Sequence, residues 1–535
     1  MPIDPEAVRA FLDRPVKPLP NYKAMTEEEL FERIYKATGV ELECKTDPRG
    51  PYQLQGICCV IENKQTLLLF DPQIGKTWTA LNWLQHYKRA GWIGKALVIA
   101  HSPVGVDVWE SQTPQHSFLD AVCIRANKQT IVDEFITALT GPCDVIITTW
   151  SALMQLFTVK KLSRKKVPKL YPNRDMLREI APMLDALVID EIHMTKDHFS
   201  LRFEIAALLG ASCEYTLGLT GTPFGRNPFP LWAQAYLLDH GKTLSSSFQF
   251  FENAFGKKTY NHFSKSKSEF KPDPAKLPLL FQKLEHLAFS YTRAEIGKLT
   301  IEPGKIELKM RGEQKATYNR LAEDMAQSIK IHYRTGAQNT SDIQNNFTRL
   351  RQVASGYLPF TDKEGRPAYA MFDDSPKLSW LQDFLENAPE NMPVLIFCEF
   401  IQSGVLLTEL LKKMKIPHGW LYGMTKNRAE VINDFKTNKT RVLVANTVAG
   451  GLSVSFNHVD YVCYYESPCS PIIRRQSEDR PADRPVDRAL FIDDLVCAPI
   501  EEKILGFVKE GKDLLSSLLH KGQDFDFSTK RRKPK

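Results

Sequence analysis

The chain has 535 residues and a mass of 61.0 kDa, which at about 150 residues per domain predicts several structural units. Hydrophobic residues make up 43% and charged residues 25%, the balance of a folded globular protein, so wholesale disorder is excluded. The net charge of +7 permits a polyanionic partner without requiring one.

Residues 1–45 are predicted to form an N-terminal helical extension. Their opening sequence, MPIDPEAVRAF, lacks the basic and then apolar layout of a secretory signal, and no apolar run in the chain approaches the ~18 residues of a membrane span. The ten cysteines are scattered without paired CxxC motifs, which favours reduced thiols. We therefore expect a cytoplasmic protein with no membrane contact.

Short β-rich segments recur in two parts of the chain, separated by helical patterns. They are apolar throughout rather than alternating, which is typical of parallel strands buried on both faces. Residues 46–240 are predicted to form one α/β lobe and residues 346–510 a second, with a mostly helical insert at 241–345 and a basic tail at 511–535. The predicted strands are LLLF (67–70), ALVIA (96–100), DVIITTW (144–150), ALVID (186–190), LGLTGT (217–222), VLIFCEF (394–400), WLYG (420–423), RVLVAN (441–446), YVCYYE (461–466) and ALFIDDLV (489–496).

The sequence FDPQIGKT follows the first strand and precedes a helical pattern. A tight loop before a helix that begins with GKT is typical of a phosphate-binding loop, in which Lys76 lies at the β- and γ-phosphates and Thr77 ligates magnesium. The loop departs from the pattern GxxxxGK[ST], because Phe70 stands at the first glycine position. On the sequence GKT alone, a plain turn before a helix is an equally good interpretation. The predicted nucleotide-binding residues of the loop are Asp71, Pro72, Gln73, Ile74, Gly75, Lys76 and Thr77.

The strand ALVID runs directly into an acidic motif with the sequence DEIH. Asp190 at the strand end is expected to hold magnesium through water, and Glu191 to polarise the attacking water. The alternative, an acidic loop after a core strand, is disfavoured by GKT upstream. Farther along, Thr220 and Thr222 of LTGTPFGRN are expected to hydrogen-bond the acidic motif and to sense the γ-phosphate.

GKT, DEIH and TGTP in this order resemble helicase superfamily two and, more specifically, its Swi/Snf-related (Snf-two) DNA-translocating ATPases. PYQLQG at 51–56 resembles the glutamine motif of that family, in which Gln53 would read the adenine. The resemblance implies two RecA-like parallel-sheet lobes with a mostly helical insert between them. Further segments that resemble the family are PFPLWAQAYLLD (228–239), YTRAEI (291–296), FTRLRQVASGYL (347–358), YGMTKNRAEVINDF (422–435), VANTVAGGLSVSF (444–456) and YYESPCSPIIRRQSEDRPADRP (464–485).

Three departures from the family pattern concern the predicted site. Gln73 stands where the loop usually carries a further glycine, and Ser453 replaces a glycine of the fifth motif. In the sixth motif Arg480 aligns directly, whereas Arg484 lies one residue late, with Asp483 in its place. The resemblance implies that these two arginines stabilise the transferred phosphoryl group. It also implies residues that couple the site to movement, namely His193, Thr220, Thr222, Gly451 and Gln476.

The function implied is that of an ATP hydrolase that uses ATP and Mg²⁺ to move along double-stranded DNA. Backbone contacts independent of sequence are implied at Ser102, Thr148, Thr149, Thr425 and Thr447. The lysine-rich stretches at 160–169 and 257–271 are predicted either to extend this track or to form solvated surface loops.

Two other functions stay open: a strand-separating or annealing helicase, and a DNA-binding protein with a degenerate, slow ATPase. Gln73 and the irregular sixth motif motivate the second. A protein partner is not readable from the sequence. The compact form favours a prokaryotic or viral protein in the cytoplasm, or a nuclear one if the source is eukaryotic.

Overall fold

The computed structural model describes residues 4–71, 74–126, 129–162, 168–195, 197–221, 228–260, 268–297, 303–335, 340–362, 364–447, 454–482 and 490–511, together with Phe527 and Thr529. The chain divides into two compact units, Met1–Ile296 and Gly297–Lys535. No helix in the described ranges is long and apolar enough to cross a membrane.

Unit 1 is built on a parallel sheet whose strands are β1 (Gln65–Phe70), β2 (Ala96–Ala100), β3 (Ala121–Ile124), β4 (Val145–Thr149), β7 (Ala186–Asp190), β8 (Tyr215–Leu219) and β11 (Ala288–Tyr291). Their spatial order is β11-β1-β8-β7-β2-β4-β3. Within β2, Leu97 and Ile99 belong to one hydrophobic cluster and Val98 to another. The sheet is therefore buried on both faces, which explains why its strands are apolar throughout.

Helices connect these strands and cover the sheet. Several begin at a side-chain cap, as where the Ser102 hydroxyl accepts from the backbone N–H of Gly105. The helices of unit 1 are α1 (Pro5–Asp13), α2 (Glu27–Thr38), α3 (Pro51–Glu62), α4 (Lys76–Arg89), α5 (Pro103–His116), α6 (Ile131–Thr140), α7 (Trp150–Phe157), α8 (Arg174–Ile180), α9 (Leu201–Gly210), α10 (Pro230–Asp239), α11 (Phe248–Phe255) and α12 (Leu277–Leu284).

Two antiparallel hairpins in unit 1 lie apart from the parallel sheet. One pairs β5 (Thr158–Leu162) with β6 (Pro168–Pro172), and the other pairs β9 (Gly256–Tyr260) with β10 (Ser268–Pro272). Each hairpin forms a two-stranded sheet of its own, and each coincides with one of the two lysine-rich stretches of the sequence.

Unit 2 repeats the architecture with a second all-parallel sheet in the order β12-β19-β18-β15-β17-β16. These strands are β12 (Gly304–Glu307), β15 (Val394–Cys398), β16 (His418–Leu421), β17 (Val442–Asn446), β18 (Tyr461–Tyr464) and β19 (Phe491–Val496), and β13 (Tyr357–Thr361) pairs with β14 (Pro367–Met371) as a hairpin. The helices are α13 (Gly312–Thr335), α14 (Thr340–Ala354), α15 (Pro376–Asn387), α16 (Ile401–Lys413), α17 (Arg428–Lys436), α18 (Pro471–Asp479) and α19 (Pro499–Lys509).

The predicted fold class, two RecA-like parallel-sheet lobes, is confirmed by these sheets. The segment 241–345, predicted as a mostly helical insert, is divided between the two units instead. It contributes an edge strand to each sheet, because β11 pairs with β1 and β12 pairs with β19. In the predicted basic tail, Phe527 is buried and packs into the hydrophobic cluster of unit 2; the tail residues 512–526, 528 and 530–535 lie outside the described part.

Candidate nucleotide-binding site

The loop between β1 and α4 passes close to the side chain of Gln53. Gly75 has a φ of +101°, and a Cβ at this position would lie 1.8 Å from Nε2 of Gln53. A glycine is therefore required here both by the backbone conformation and by the space. The Gln53 side chain is held in turn by the backbone N–H of Arg49, which donates to its Oε1 over 2.6 Å.

The first turn of α4 has an open N-terminus, because Gly75 supplies no side-chain cap. Backbone N–H groups at such a helix start suit an anionic ligand. The Nζ of Lys76 lies at the same end of the helix and donates to the carbonyl of Phe70 over 3.1 Å. Thr77 follows, half-buried. These groups meet the chemical requirements of a phosphate-binding loop.

Asp71 ties this loop to the edge strand β11. Its backbone N–H donates to the carbonyl of Tyr291 over 3.1 Å, and its Oδ2 accepts from the backbone N–H of Arg293 over 3.0 Å. The carboxylate thus helps to hold the loop, and a direct contact of Asp71 with a nucleotide stays a prediction. Pro72 and Gln73, also predicted to bind the nucleotide, lie outside the described residues.

Asp190 lies at the carboxyl end of β7, two strands from the loop that follows β1. Its Oδ2 accepts from the indole N–H of Trp109 over 3.1 Å and lies 3.8 Å from Nδ1 of His101. Trp109 is buried, so the carboxylate is held in one orientation. Sequence reasoning identified neither Trp109 nor His101, although His101 directly precedes the predicted Ser102.

Glu191 connects the acidic motif to the phosphate-binding loop. One carboxylate oxygen lies 3.8 Å from Nζ of Lys76, and the other accepts from the Thr220 hydroxyl over 3.2 Å. His193 Nδ1 lies 3.2 Å from that second oxygen and 3.0 Å from the Thr220 hydroxyl. The expected hydrogen bond between Thr220 and the acidic motif is present, and His193 takes part in the same cluster.

The environment of Glu191 favours its charged form. Burial opposes ionisation, but the Lys76 ammonium and the hydrogen bond from His193 outweigh it, so the pKa of the Glu191 carboxyl lies well below its usual range. The backbone of Glu191 has a φ of +48°, which is uncommon for a residue with a side chain. Strained conformations of this kind concentrate at functional sites.

The oxygen ligands available here suit Mg²⁺. Among the described residues, no group of three His, Cys, Asp or Glu side chains forms a metal site by itself. Mg²⁺ typically takes one or two carboxylates and completes its coordination with water and substrate phosphates. Asp190 and the Thr77 hydroxyl fit that requirement.

Of the four catalytic and coupling residues predicted in unit 2, two can be placed and two cannot. Gln476 is buried within α18, and Arg480 caps the carboxyl end of that helix, where its carbonyl accepts from the backbone N–H of Phe456 over 3.0 Å. Arg484 and Gly451 lie outside the described residues, as does Thr222 of unit 1.

The predicted DNA-contacting hydroxyls differ in their exposure. Thr148 is fully buried and donates to the carbonyl of Ile124 over 3.1 Å, and the buried Thr447 donates to Glu399. These two side chains form hydrogen bonds within their own units, and their contact with phosphates stays a prediction. Thr149 is also buried and caps α7. Ser102, which caps α5, and Thr425, which accepts from the backbone N–H of Tyr422, are half-buried.

Unit 2 also contains a buried ionic cluster that the sequence motifs did not indicate. Two guanidinium nitrogens of Arg474 lie 2.5 and 2.7 Å from the two carboxylate oxygens of Asp494, and its Nε lies 2.6 Å from Glu478. The guanidinium also lies 3.6 Å from the ring centre of Tyr464. This arrangement fixes α18, which carries Gln476 and ends at Arg480, against the sheet of unit 2.

The chain matches two family models. The model of the SNF2-related domain matches residues 52–356, and that of the helicase conserved C-terminal domain matches residues 376–483. The SWI/SNF-related matrix-associated actin-dependent regulator of chromatin subfamily A member 1 of Mus musculus is 24% identical over 483 residues, which cover 85% of this chain and 42% of the relative. The chain thus spans about two fifths of the length of that curated relative.

Two further similarities are more limited. The chromatin-remodeling ATPase INO80 of Neurospora crassa is 31% identical over 135 residues, or 23% of this chain and 7% of the relative. The solved SWI2/SNF2 ATPase core of Sulfolobus solfataricus in complex with dsDNA is 20% identical and has a TM-score of 0.39, covering 90% of this chain and 96% of that one. The SNF2-related domain match, in contrast, extends over more than half of the chain, and the chain therefore belongs to the SNF2-related family.

Proposed function

We propose that this protein is an ATP hydrolase that couples ATP turnover to movement along double-stranded DNA. The observation that carries the proposal is the position of Glu191, which contacts Lys76 of the phosphate-binding loop and Thr220 after β8. The Lys76 ammonium, the Glu191 carboxylate and the Thr220 hydroxyl follow three different strands and meet at the carboxyl ends of those strands. Family membership and the ATPase named among the relatives support the same reaction.

Each residue has a chemical role in this reaction. Lys76 and the N–H groups that begin α4 bind the phosphates, and we propose that Gln53, whose amide lies close to Gly75, recognises the base. Glu191 is ionised at neutral pH, and its low pKa makes it better suited to orienting a water molecule by hydrogen bonding than to retaining that water's proton. Mg²⁺ bound by Asp190 and Thr77 would supply charge neutralisation at the phosphates.

Movement along DNA requires that hydrolysis alter how the protein holds the duplex. His193 and Thr220 contact each other and the carboxylate of Glu191. A shift of that carboxylate during hydrolysis would therefore alter the hydrogen bonds of both residues. We propose them as coupling residues, and we propose Ser102, Thr149 and Thr425 as contacts to backbone phosphates. The chromatin regulators among the relatives support DNA as the partner. The cytoplasmic location stays a prediction from the sequence.

A triplex-displacement assay tests the movement. A third strand bound to a long duplex should be displaced in the presence of ATP, whereas a partial duplex without a triplex should keep its strands paired. Strand separation on the partial duplex would instead identify a strand-separating helicase. ATP turnover with no displacement on either substrate would contradict translocation, and absence of turnover would support the degenerate-ATPase alternative.

A further inference from the structure

The hairpin β5–β6 is strongly basic. Residues 158–172 read TVKKLSRKKVPKLYP and contain six Lys and Arg residues and no Asp or Glu. The described lysines of the hairpin, Lys160, Lys161 and Lys169, are exposed. This short segment therefore carries a charge of +6, whereas the net charge of the whole chain is +7.

The register of the hairpin opposes two of these charges directly. Lys161 pairs with Lys169 across the antiparallel strands, so both side chains emerge on the same face. Like charges in directly opposed positions destabilise strand pairing, and a lone two-stranded hairpin has little stability to spare. Within the described part of the chain, neither Lys161 nor Lys160 makes an ion pair that would offset the repulsion.

The base of the hairpin is fixed to the core of unit 1. Phe157, the last residue of α7, is fully buried, and its carbonyl accepts from the backbone N–H of Asn173 over 2.8 Å, which closes the hairpin at its base. The hydroxyl of Thr158 donates to the carbonyl of Met154 over 2.6 Å. The lysines are therefore presented on an arm whose attachment to the unit is well defined.

Hairpin β9–β10 also places two lysines opposite each other. Exposed Lys257 lies directly opposite exposed Lys271 in its register. By contrast, Lys36 of α2 lies beside a carboxylate, 2.6 Å from Glu32. In hairpin β5–β6, a phosphate placed between Lys161 and Lys169 would replace repulsion with attraction, so this register suits a polyanion.

We propose that hairpin β5–β6 is a DNA-binding arm in which Lys160, Lys161 and Lys169 contact backbone phosphates of duplex DNA. The partner rests on the proposed function, whereas the site is argued from the register and charge of the hairpin. The arm extends from the end of α7, the helix that Thr149 caps. It enlarges the DNA-contacting surface without reading sequence, because ammonium groups bind phosphates as point charges.

Binding of a fluorescent duplex to the full-length protein at several salt concentrations tests the arm. The triple variant Lys160→Ala, Lys161→Ala, Lys169→Ala should weaken affinity on the order of 10- to 100-fold and reduce the slope of log K against log salt by about 1 per lysine. ATP turnover without DNA should be unchanged. The matched control Lys36→Ala, Lys305→Ala, Lys439→Ala removes the same charge from lysines paired with carboxylates and should alter the slope much less.

The single variant Lys161→Glu separates loss of binding from loss of folding. Glutamate opposite Lys169 replaces repulsion with attraction, so thermal stability should be equal to or above that of the parent while duplex affinity falls. If the parent binds duplex and the triple variant keeps the same affinity and salt slope, the hairpin is not a DNA-binding arm. That result would not contradict the proposed function. A parent that does not bind duplex would refute the proposed function itself.

Discussion

Replacement of Glu191 by glutamine is expected to abolish ATP turnover and to retain ATP binding. The amide preserves the size of the side chain and still accepts from the Thr220 hydroxyl, which lies 3.2 Å away. It removes the negative charge 3.8 Å from the Lys76 ammonium and 3.2 Å from the His193 ring. A neutral amide orients and polarises water far less strongly than a carboxylate, so turnover should fall at least ~10²-fold, or about 2.7 kcal/mol of transition-state stabilisation.

The variant is measured by steady-state phosphate release and by titration with a fluorescent ATP analogue. Thr220→Val is the matched control, because it removes one hydrogen bond to the carboxylate and leaves the charge in place. We expect turnover of this control to lie between those of the parent and Glu191→Gln. Parental turnover in Glu191→Gln would refute the assignment of the acidic motif, and loss of ATP binding together with turnover would indicate a structural role instead.

Three further predictions follow from the structure and the sequence. Gly75→Ala should weaken ATP binding at least ~10-fold, since its Cβ would lie 1.8 Å from the amide nitrogen of the neighbouring glutamine. In the control Gly91→Ala, where φ is +72° and the space is open, only the ~1–2 kcal/mol of a left-handed backbone should be lost from the free energy of unfolding. Burial lowers the pKa of His86 to about 4, below the ~6.5 of an unfolded chain, so protonation favours the unfolded state. The free energy of unfolding should therefore be highest above pH ~6.5 and fall by up to ~3 kcal/mol toward pH 4 in denaturant titrations, and His86→Gln should reduce that fall. Arg480→Ala should abolish turnover with DNA affinity retained, and Arg484→Ala should reduce DNA-stimulated turnover about tenfold; unchanged turnover in the second variant would leave a single catalytic arginine.

The apolar runs predicted the central strands well because burial on both faces leaves an unambiguous pattern. Strand β3 was missed, since it is short and its residues are mostly half-buried at the edge of the sheet. The two hairpins of unit 1 were missed because lysine-rich segments carry no strand pattern. Edge strands β11 and β12 are four residues long and pair with strands distant in the chain, which periodicity does not reveal.

The motifs located the candidate site, but tertiary contacts decided the role of individual side chains. Asp71 bonds to the backbone after β11, a contact that no local pattern reports. Trp109 and His101 approach Asp190 from α5 and the end of β2, and their distance in sequence from the acidic motif concealed them. Thr148 is buried, and its hydroxyl donates to the carbonyl of Ile124 on the neighbouring strand, a partner that the sequence pattern does not indicate.

The most direct test of coupled ATP hydrolysis compares steady-state ATP turnover of the full chain with and without duplex DNA, with Glu191→Gln as the baseline. Duplexes of unrelated sequence should stimulate turnover to similar extents, and the stimulation should decline as salt concentration rises. Turnover at the Glu191→Gln baseline under every condition, or turnover indifferent to duplex, would contradict the coupling of ATP hydrolysis to DNA.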